Sequence, residues 1–140
     1  MVDQIENFVW DFSYHEHFSY FTVKPLVSFF NDIGLELIDV KRVSTKGGSL
    51  RYFIQRKNGT RKISKNISGF IKYEDKIGIH NPGIFKSYQE KINKSKDEFI
   101  QLINGLNNNN IRFGAYGASA TSTTLIYHYE MGNLIESIYD

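Results

Sequence analysis

Apolar residues recur at helical spacing from Val23 to Ile33, where Leu26, Phe29, Phe30 and Ile33 share one side. Pro25 suits a first turn, and Gly34 stands where a helix commonly ends, so the pattern predicts a helix over 23–33. The period then changes. Leu35 to Val43 alternates apolar and polar residues and predicts a strand, and Ser49 to Arg56 predicts a second. Ser44 to Gly48 forms the loop between them, and Asn58-Gly59 closes the far end of the second strand. A helix feeding an antiparallel strand pair is the edge of something larger, because a two-stranded unit alone is marginal.

Residues 63–82 mix glycine, serine, asparagine and charge with isolated isoleucines. Ile67, Phe70 and Ile71 make one amphipathic turn, and the region reads as a short helix plus loop. Ile84 to Leu106 is a clear helix, with Tyr88, Ile92, Phe99, Leu102, Ile103 and Leu106 on one stripe. Gly105 and the run from Asn107 to Asn110 are expected to stop it. A short strand over Ile111–Phe113, a glycine turn over Gly114–Ala120, a helix over Thr121–Met131 and a strand over Leu134–Asp140 follow. Strand, glycine turn, helix, strand and terminal acid form the opening of a Rossmann-like unit. A parallel sheet needs more strands than two, covered on both faces. The expected class is therefore α/β, and the chain is expected to be a fragment spanning the end of one α/β domain and the start of another.

Composition changes this picture little. The 140 residues carry 41% hydrophobic and 23% charged residues, an ordinary soluble balance, and 15% aromatics argue for a packed or ligand-stacking protein. The net charge of +2 argues for no nucleic-acid partner, and the basic run around Arg56, Lys57, Arg61 and Lys62 reads as a solvated hairpin tip. There is no cysteine, which excludes disulfides and cysteine-ligated zinc. The first residues are acidic and lack a long apolar run, and no stretch suits a bilayer, so a cytoplasmic protein without a membrane partner is expected.

Three segments carry candidate chemistry. In Tyr14-His-Glu-His17 two histidines flank an acid. If the segment is extended, His15 and His17 share one face, and Tyr14 and Glu16 the other. Histidine titrates near neutral pH, so the cluster suits a general base held by a carboxylate and a tyrosine. It also suits two metal ligands, with Glu16, His80 or His128 as a third, or a polar strand end with satisfied histidines. In Gly47-Gly-Ser-Leu-Arg51 two glycines let a backbone approach a ligand and Arg51 can pair with phosphate; a plain hairpin turn fits as well. Gly114-Ala-Tyr-Gly-Ala-Ser-Ala120 can turn backbone N–H groups towards a phosphate, or be a tight turn that binds nothing. Asp140 stands about where a ribose-binding acid would be.

Taken in this order, the segments resemble the S-adenosylmethionine-dependent C-methyltransferases that act on nucleotide-linked keto-deoxysugars. Tyr14-His-Glu-His-Phe-Ser-Tyr-Phe21 is similar to the signature near the end of that family's methyltransferase domain. Gly47-Gly-Ser-Leu-Arg51 is similar to the stretch between its final antiparallel strands, and Gly114–Ala120 looks like the first turn of its Rossmann-like C-terminal domain. The resemblance implies three parts. Residues 1–62 would end the methyltransferase domain, 63–108 would be a helical connector, and 109–140 would begin the C-terminal domain. It implies His17 as the base that removes the proton beside the sugar ketone, so that the enolate attacks the methyl group of S-adenosylmethionine. Glu16 and Tyr14 complete the catalytic set, and His15, Ser49, Arg51, Gly117 and Ser119 contact the nucleotide-sugar substrate; no residue is expected to hold a metal. The glycine-rich loop for S-adenosylmethionine and the family's cysteine-bearing zinc domain have no counterpart here, so the chain alone is expected to be inactive. The competing readings are a non-catalytic nucleotide-binding α/β module and a small His/Glu metal-binding protein.

Overall fold

The computed structural model describes residues 1–107 and 111–140. The chain divides into two compact units, Met1–Val9 with Ser19–Ile84, and Trp10–Phe18 with Phe85–Asp140. It is α/β, with an antiparallel strand pair in the first unit and a parallel pair in the second.

In the first unit, α1 (Val2–Glu6) precedes α2 (Val23–Asp32), β1 (Leu35–Val43), β2 (Ser49–Arg56) and α3 (Lys65–Ile77). The helix, the two strands and the loop expected from the periodicity are all present. Gly34 ends α2 at φ +76°, a backbone conformation that glycine adopts without a Cβ penalty. β1 and β2 pair from Leu35 opposite Arg56 to Val43 opposite Ser49. The register slips between Leu37 and Asp39, so Leu37 and Ile38 are both buried, and the Ile38 carbonyl accepts the Ser64 N–H at 2.8 Å. Val23, Leu37, Val40 and Ile67 form the core, with Val27, Phe30, Leu50, Tyr52, Phe70 and Ile71 packed against it. Full burial of one such side chain contributes about 1.5–3 kcal/mol.

The region expected as a short helix plus loop is instead dominated by the 13-residue α3, packed on β1 and α2. The Ser64 hydroxyl caps it by accepting the Asn66 N–H, and Gly78 ends it at φ +70°. Its inward stripe runs Ile67, Phe70, Ile71 and then Glu74, and the acid hides the pattern. Glu74 is completely buried. Its carboxylate accepts the N–H groups of Val23 and Lys24, the first two residues of α2, the latter at 2.9 Å. Thr22, at the N-cap of α2, makes no side-chain cap bond, so Glu74 supplies that cap from 50 residues away. His80 Nε2 lies 3.5 Å from the same carboxylate. A second polar knot ties down α1. Arg42 reaches Asp3 at 2.5 Å and Glu6 at 2.8 Å, and the Tyr73 hydroxyl donates to Glu6. That hydroxyl, with the Arg42 guanidinium, holds the Glu6 carboxyl below the usual range.

The second unit holds most of α4 (Pro82–Asn107), then β3 (Phe113–Tyr116), α5 (Ala120–His128) and β4 (Ile135–Tyr139). The asparagine run expected to stop α4 lies, beyond Asn107, outside the described residues. On the expected α4 stripe Ile92 and Ile103 are buried, while Leu102 is 60% exposed. β3 and β4 pair in parallel, with Tyr116 opposite Tyr139. The strand expected over Ile111–Phe113 begins at Phe113 and draws in Gly114, Ala115 and Tyr116, which the glycine pattern assigned to the turn. Pairing with β4 does this. The helix expected to reach Met131 ends at His128, because Glu130 takes φ +57° and a short 3₁₀ turn over Met131–Asn133 leads into β4. Among the described residues, no helix is long and apolar enough to cross a membrane.

Two outcomes follow from the Glu74 clamp. Glu74→Ala leaves two helix N–H groups without their acceptor and is expected to cost about 2–3 kcal/mol in urea unfolding, whereas exposed Asp75→Ala, which loses only its pair with Lys24, costs under about 1 kcal/mol. Burial, and then the Glu74 charge, push the Tyr52 phenol up from 10.0 to about 12. A folded value above the unfolded one means the phenol's contribution is complete below its ordinary value and is lost as pH rises towards the folded value. Unfolding midpoints measured across that alkaline range are expected to fall for the parent chain and to fall less for Tyr52→Phe.

Candidate functional site

The Tyr14–His17 segment is not the strand that would place its two histidines on one face. The chain from Trp10 makes consecutive turns: the Ser13 N–H donates to the Trp10 carbonyl at 3.0 Å, and the His17 N–H to the Tyr14 carbonyl at 2.9 Å. Glycine-free, rich in aspartate and serine at its start, the stretch closes into tight turns instead of pairing with a neighbour. Tyr14 is half-buried, and His15, Glu16 and His17 are exposed. The Tyr14 ring lies 6.2 Å from the His15 ring and 6.3 Å from the His17 ring, roughly edge-on to both. His15 Nε2 stands 3.8 Å from Glu16 Oε1. One tyrosine thus faces both imidazoles, and the acid stands beside one of them. The turn presents two nitrogen bases, a carboxylate and a phenol to solvent, a set that can take and return a proton.

Gly117 and Ser119 fall in the same unit, in the turn from β3 to α5. Gly117 takes φ +99°. Its N–H donates to the Tyr139 carbonyl at 2.7 Å, and the Ala118 N–H reaches Asp140 Oδ1 at 3.3 Å. Ser119 caps α5 by accepting the Ser122 N–H, and its hydroxyl bonds with those of Thr121 and Ser122 at 2.9 Å each. Asp140 stands at the carboxyl end of β4, as expected, and its carboxylate is already on the turn.

Ser49 and Arg51 fall in the other unit, on alternate positions of β2 and therefore on one face of the hairpin. The Ser49 hydroxyl donates to the Thr45 carbonyl at 3.1 Å. Arg51 is exposed and stands directly opposite Lys41. Like charges opposed across a strand pair are unfavourable unless something negative faces them. Lys41, whose ammonium also lies 5.7 Å from the Phe53 ring centroid, is the functional candidate that residue-by-residue motif reading misses. The signal for it is the hairpin register, which a loop of known length sets.

The two glycines before Ser49 do not receive a ligand. A Cβ on Gly48, at φ +123°, would stand 2.5 Å from the Asp3 side chain, and one on Gly47 would stand 3.0 Å from Val9 Cγ2. The Asn7 side-chain amide donates to the Gly47 carbonyl at 2.8 Å. The close approach that glycine permits is used by α1 and the residues after it. Of the two histidines weighed as a third metal ligand, His80 sits beside Glu74 in the first unit and His128 packs against Trp10 in the second. Among the described residues, no three His, Cys, Asp or Glu side chains gather as a metal ion would require.

Residues 44–140 match the family described as the C-methyltransferase C-terminal domain. The chain is also similar to the C-methyltransferase NovU of Streptomyces niveus, with 23% identity over 133 residues, 95% of this chain and 32% of that protein. It therefore spans about a third of the length of that curated relative.

Strain and contact separate the two glycines in a measurable way. Gly48→Ala places a side chain at a φ that L-residues rarely adopt and drives it into Asp3, so it is expected to cost about 2–3 kcal/mol. Gly47→Ala needs only a left-handed residue and a small shift of Val9, at about 1–2 kcal/mol. Urea unfolding of the two variants beside the parent ranks them.

Proposed function

This chain belongs to the C-methyltransferase family, and we propose that it contributes the proton-removing group of an enzyme that methylates the carbon beside the ketone of a nucleotide-linked deoxysugar. The observation that carries the reading is the exposed Tyr14–His17 turn in a chain with this family match. His17 is the proposed general base. A hydrogen beside a ketone is acidic only while the carbonyl oxygen takes up charge, so the site needs a base active near neutral pH and a donor near that oxygen. Tyr14, edge-on to the His17 ring, and Glu16, the residue before His17, are proposed to orient the base or the sugar. His15, Ser49, Arg51, Gly117 and Ser119 are the proposed substrate contacts. Arg51 with Lys41 offers paired cations to a diphosphate, whereas Ser119 reaches a ligand only by giving up its cap on α5.

S-adenosylmethionine is the methyl donor that such a family suggests, but the glycine turns of this chain do not fit it. The Gly47-Gly48 turn is filled by Asp3 and Val9, and the Gly117 and Ala118 amides are taken by Tyr139 and Asp140. The proposal assigns the donor's pocket to other parts of a longer enzyme, and assigns to this chain the handling of the proton. A second reading, a nucleotide-binding module without chemistry, is favoured by the parallel β3–β4 pair with Asp140 at its tip.

The base assignment has a direct check. In an active C-methyltransferase carrying this segment, His17→Asn is expected to lower turnover by about a thousandfold while leaving S-adenosylmethionine affinity unchanged in calorimetry. Turnover equal to the parent's would remove His17 from the role.

A further inference from the structure

The segment Trp10–Phe18 has one buried residue, and it is Trp10, the only tryptophan in the chain. Its indole stacks on the Tyr129 ring with centroids 5.2 Å apart and planes 25° apart, and tilts against the His128 ring at 5.1 Å. Tyr129 is itself firmly held. It is buried, its ring lies 5.6 Å from that of Phe99, and its hydroxyl hydrogen-bonds Ser95 Oγ at 2.7 Å. Phe99 and Ser95 belong to α4, His128 is the last residue of α5, and Tyr129 is its C-cap. The indole is thus seated at the C-terminal end of α5, on a tyrosine that α4 holds in place.

From this anchor the backbone runs directly into the proton-transfer turn. The Trp10 carbonyl accepts the Ser13 N–H, and the next residue, Tyr14, opens the turn that the His17 N–H closes. His15, Glu16, His17 and Phe18 are all exposed. Their side chains bury little surface with which to hold a fixed geometry. A base must stand within a few tenths of an ångström of its proton, so something outside the motif has to locate it. His128 contributes a ring face to this seat, and its Nε2 is buried without a hydrogen-bond partner among the described residues.

We propose that Trp10 is the positioning residue for His17, and that Tyr129 and His128, through their grip on the indole, set where the base stands. This rests on the reading of His17 as the base. It adds that residues more than a hundred positions away, at the end of α5, determine the geometry of a motif that contains none of them.

The test uses the 140-residue chain and reads backbone order. Trp10→Ala is expected to lower the NMR order parameters of the Ser13 to His17 amides from about 0.8 to below about 0.6, while that of Val40, in the core of the first unit, stays unchanged. The His17 ring signals are expected to move towards those of an unstructured peptide. Trp10→Phe, which keeps an aromatic face for Tyr129, restores both readouts. Should Trp10→Ala fail to fold, Trp10→Leu fills the volume without stacking and is expected to loosen the same amides. Unchanged order from Ser13 to His17 in a folded Trp10→Ala or Trp10→Leu variant overturns the proposal. In an active enzyme carrying the segment, Trp10→Leu is expected to lower kcat about tenfold or more with KM unchanged, and an unaltered kcat also overturns it. The His17→Asn result judges the base separately: if that variant turns over normally, the base reading falls, while the order parameters still report whether Trp10 holds the turn.

Discussion

The first unit depends on one buried carboxylate. Glu74 projects from α3 into the space where α2 begins and accepts two of the N–H groups that a helix start leaves unpaired. A completely buried charge is costly unless it is paired or hydrogen-bonded, and here the helix terminus supplies both donors and the favourable end of its dipole. The arrangement fixes more than one contact. It sets α3 against α2, brings Ile67 beside Val23 in the same core, and places a negative charge near Tyr52 on β2, which raises that phenol's affinity for its proton. Helix, helix and hairpin are thereby joined through one side chain.

Along the hairpin, residues closed in by neighbours give way within a few positions to exposed ones. Gly47 and Gly48 look like a ligand-facing turn, yet Asp3 and Val9 occupy the space beside them, and Asp3 is in turn held by Arg42. Three residues beyond Gly48, Arg51 stands opposite Lys41 in the strand pair. The glycines fasten α1 to the hairpin, and Lys41 and Arg51 stand exposed and opposite each other farther along it.

The second unit joins a weakly packed motif to a well-packed aromatic cluster. Trp10, Tyr129, His128 and Phe99 bring three stretches of chain together, and the turn with Tyr14, Glu16 and His17 leaves that cluster within four residues. The family match covers residues 44–140 and so begins beyond this turn, whose role in proton removal is the reading proposed above. The exposed turn and the buried indole are adjacent in sequence, separated by Asp11 to Ser13.

Much of the fold was legible from the chain alone. The apolar period of α2, the alternation of β1 and β2 and the long stripe of α4 are local signals, repeated over enough residues to outweigh noise, and the strand–glycine–helix–strand order announced a parallel pair. What failed locally failed for tertiary reasons. Residues 65–77 looked like a connector because the fourth position of their inward stripe is Glu74, and an acid belongs inside only when another helix offers it N–H groups. Gly114 to Tyr116 looked like turn until β4 gave them a pairing partner. The residues of the candidate site were likewise readable as types: two histidines, an acid and a tyrosine suited to proton transfer, and an arginine suited to phosphate. Their geometry was not, since period alone made the motif a strand while the chain makes turns of it. The sequence by itself determined which groups are available for chemistry and where the strongly periodic segments α2, β1, β2 and α4 lie. The tertiary structure alone decided which buried charge is tolerated, which glycines are already filled, and which distant aromatic ring Trp10 stacks on, because each of those depends on a partner far away along the chain.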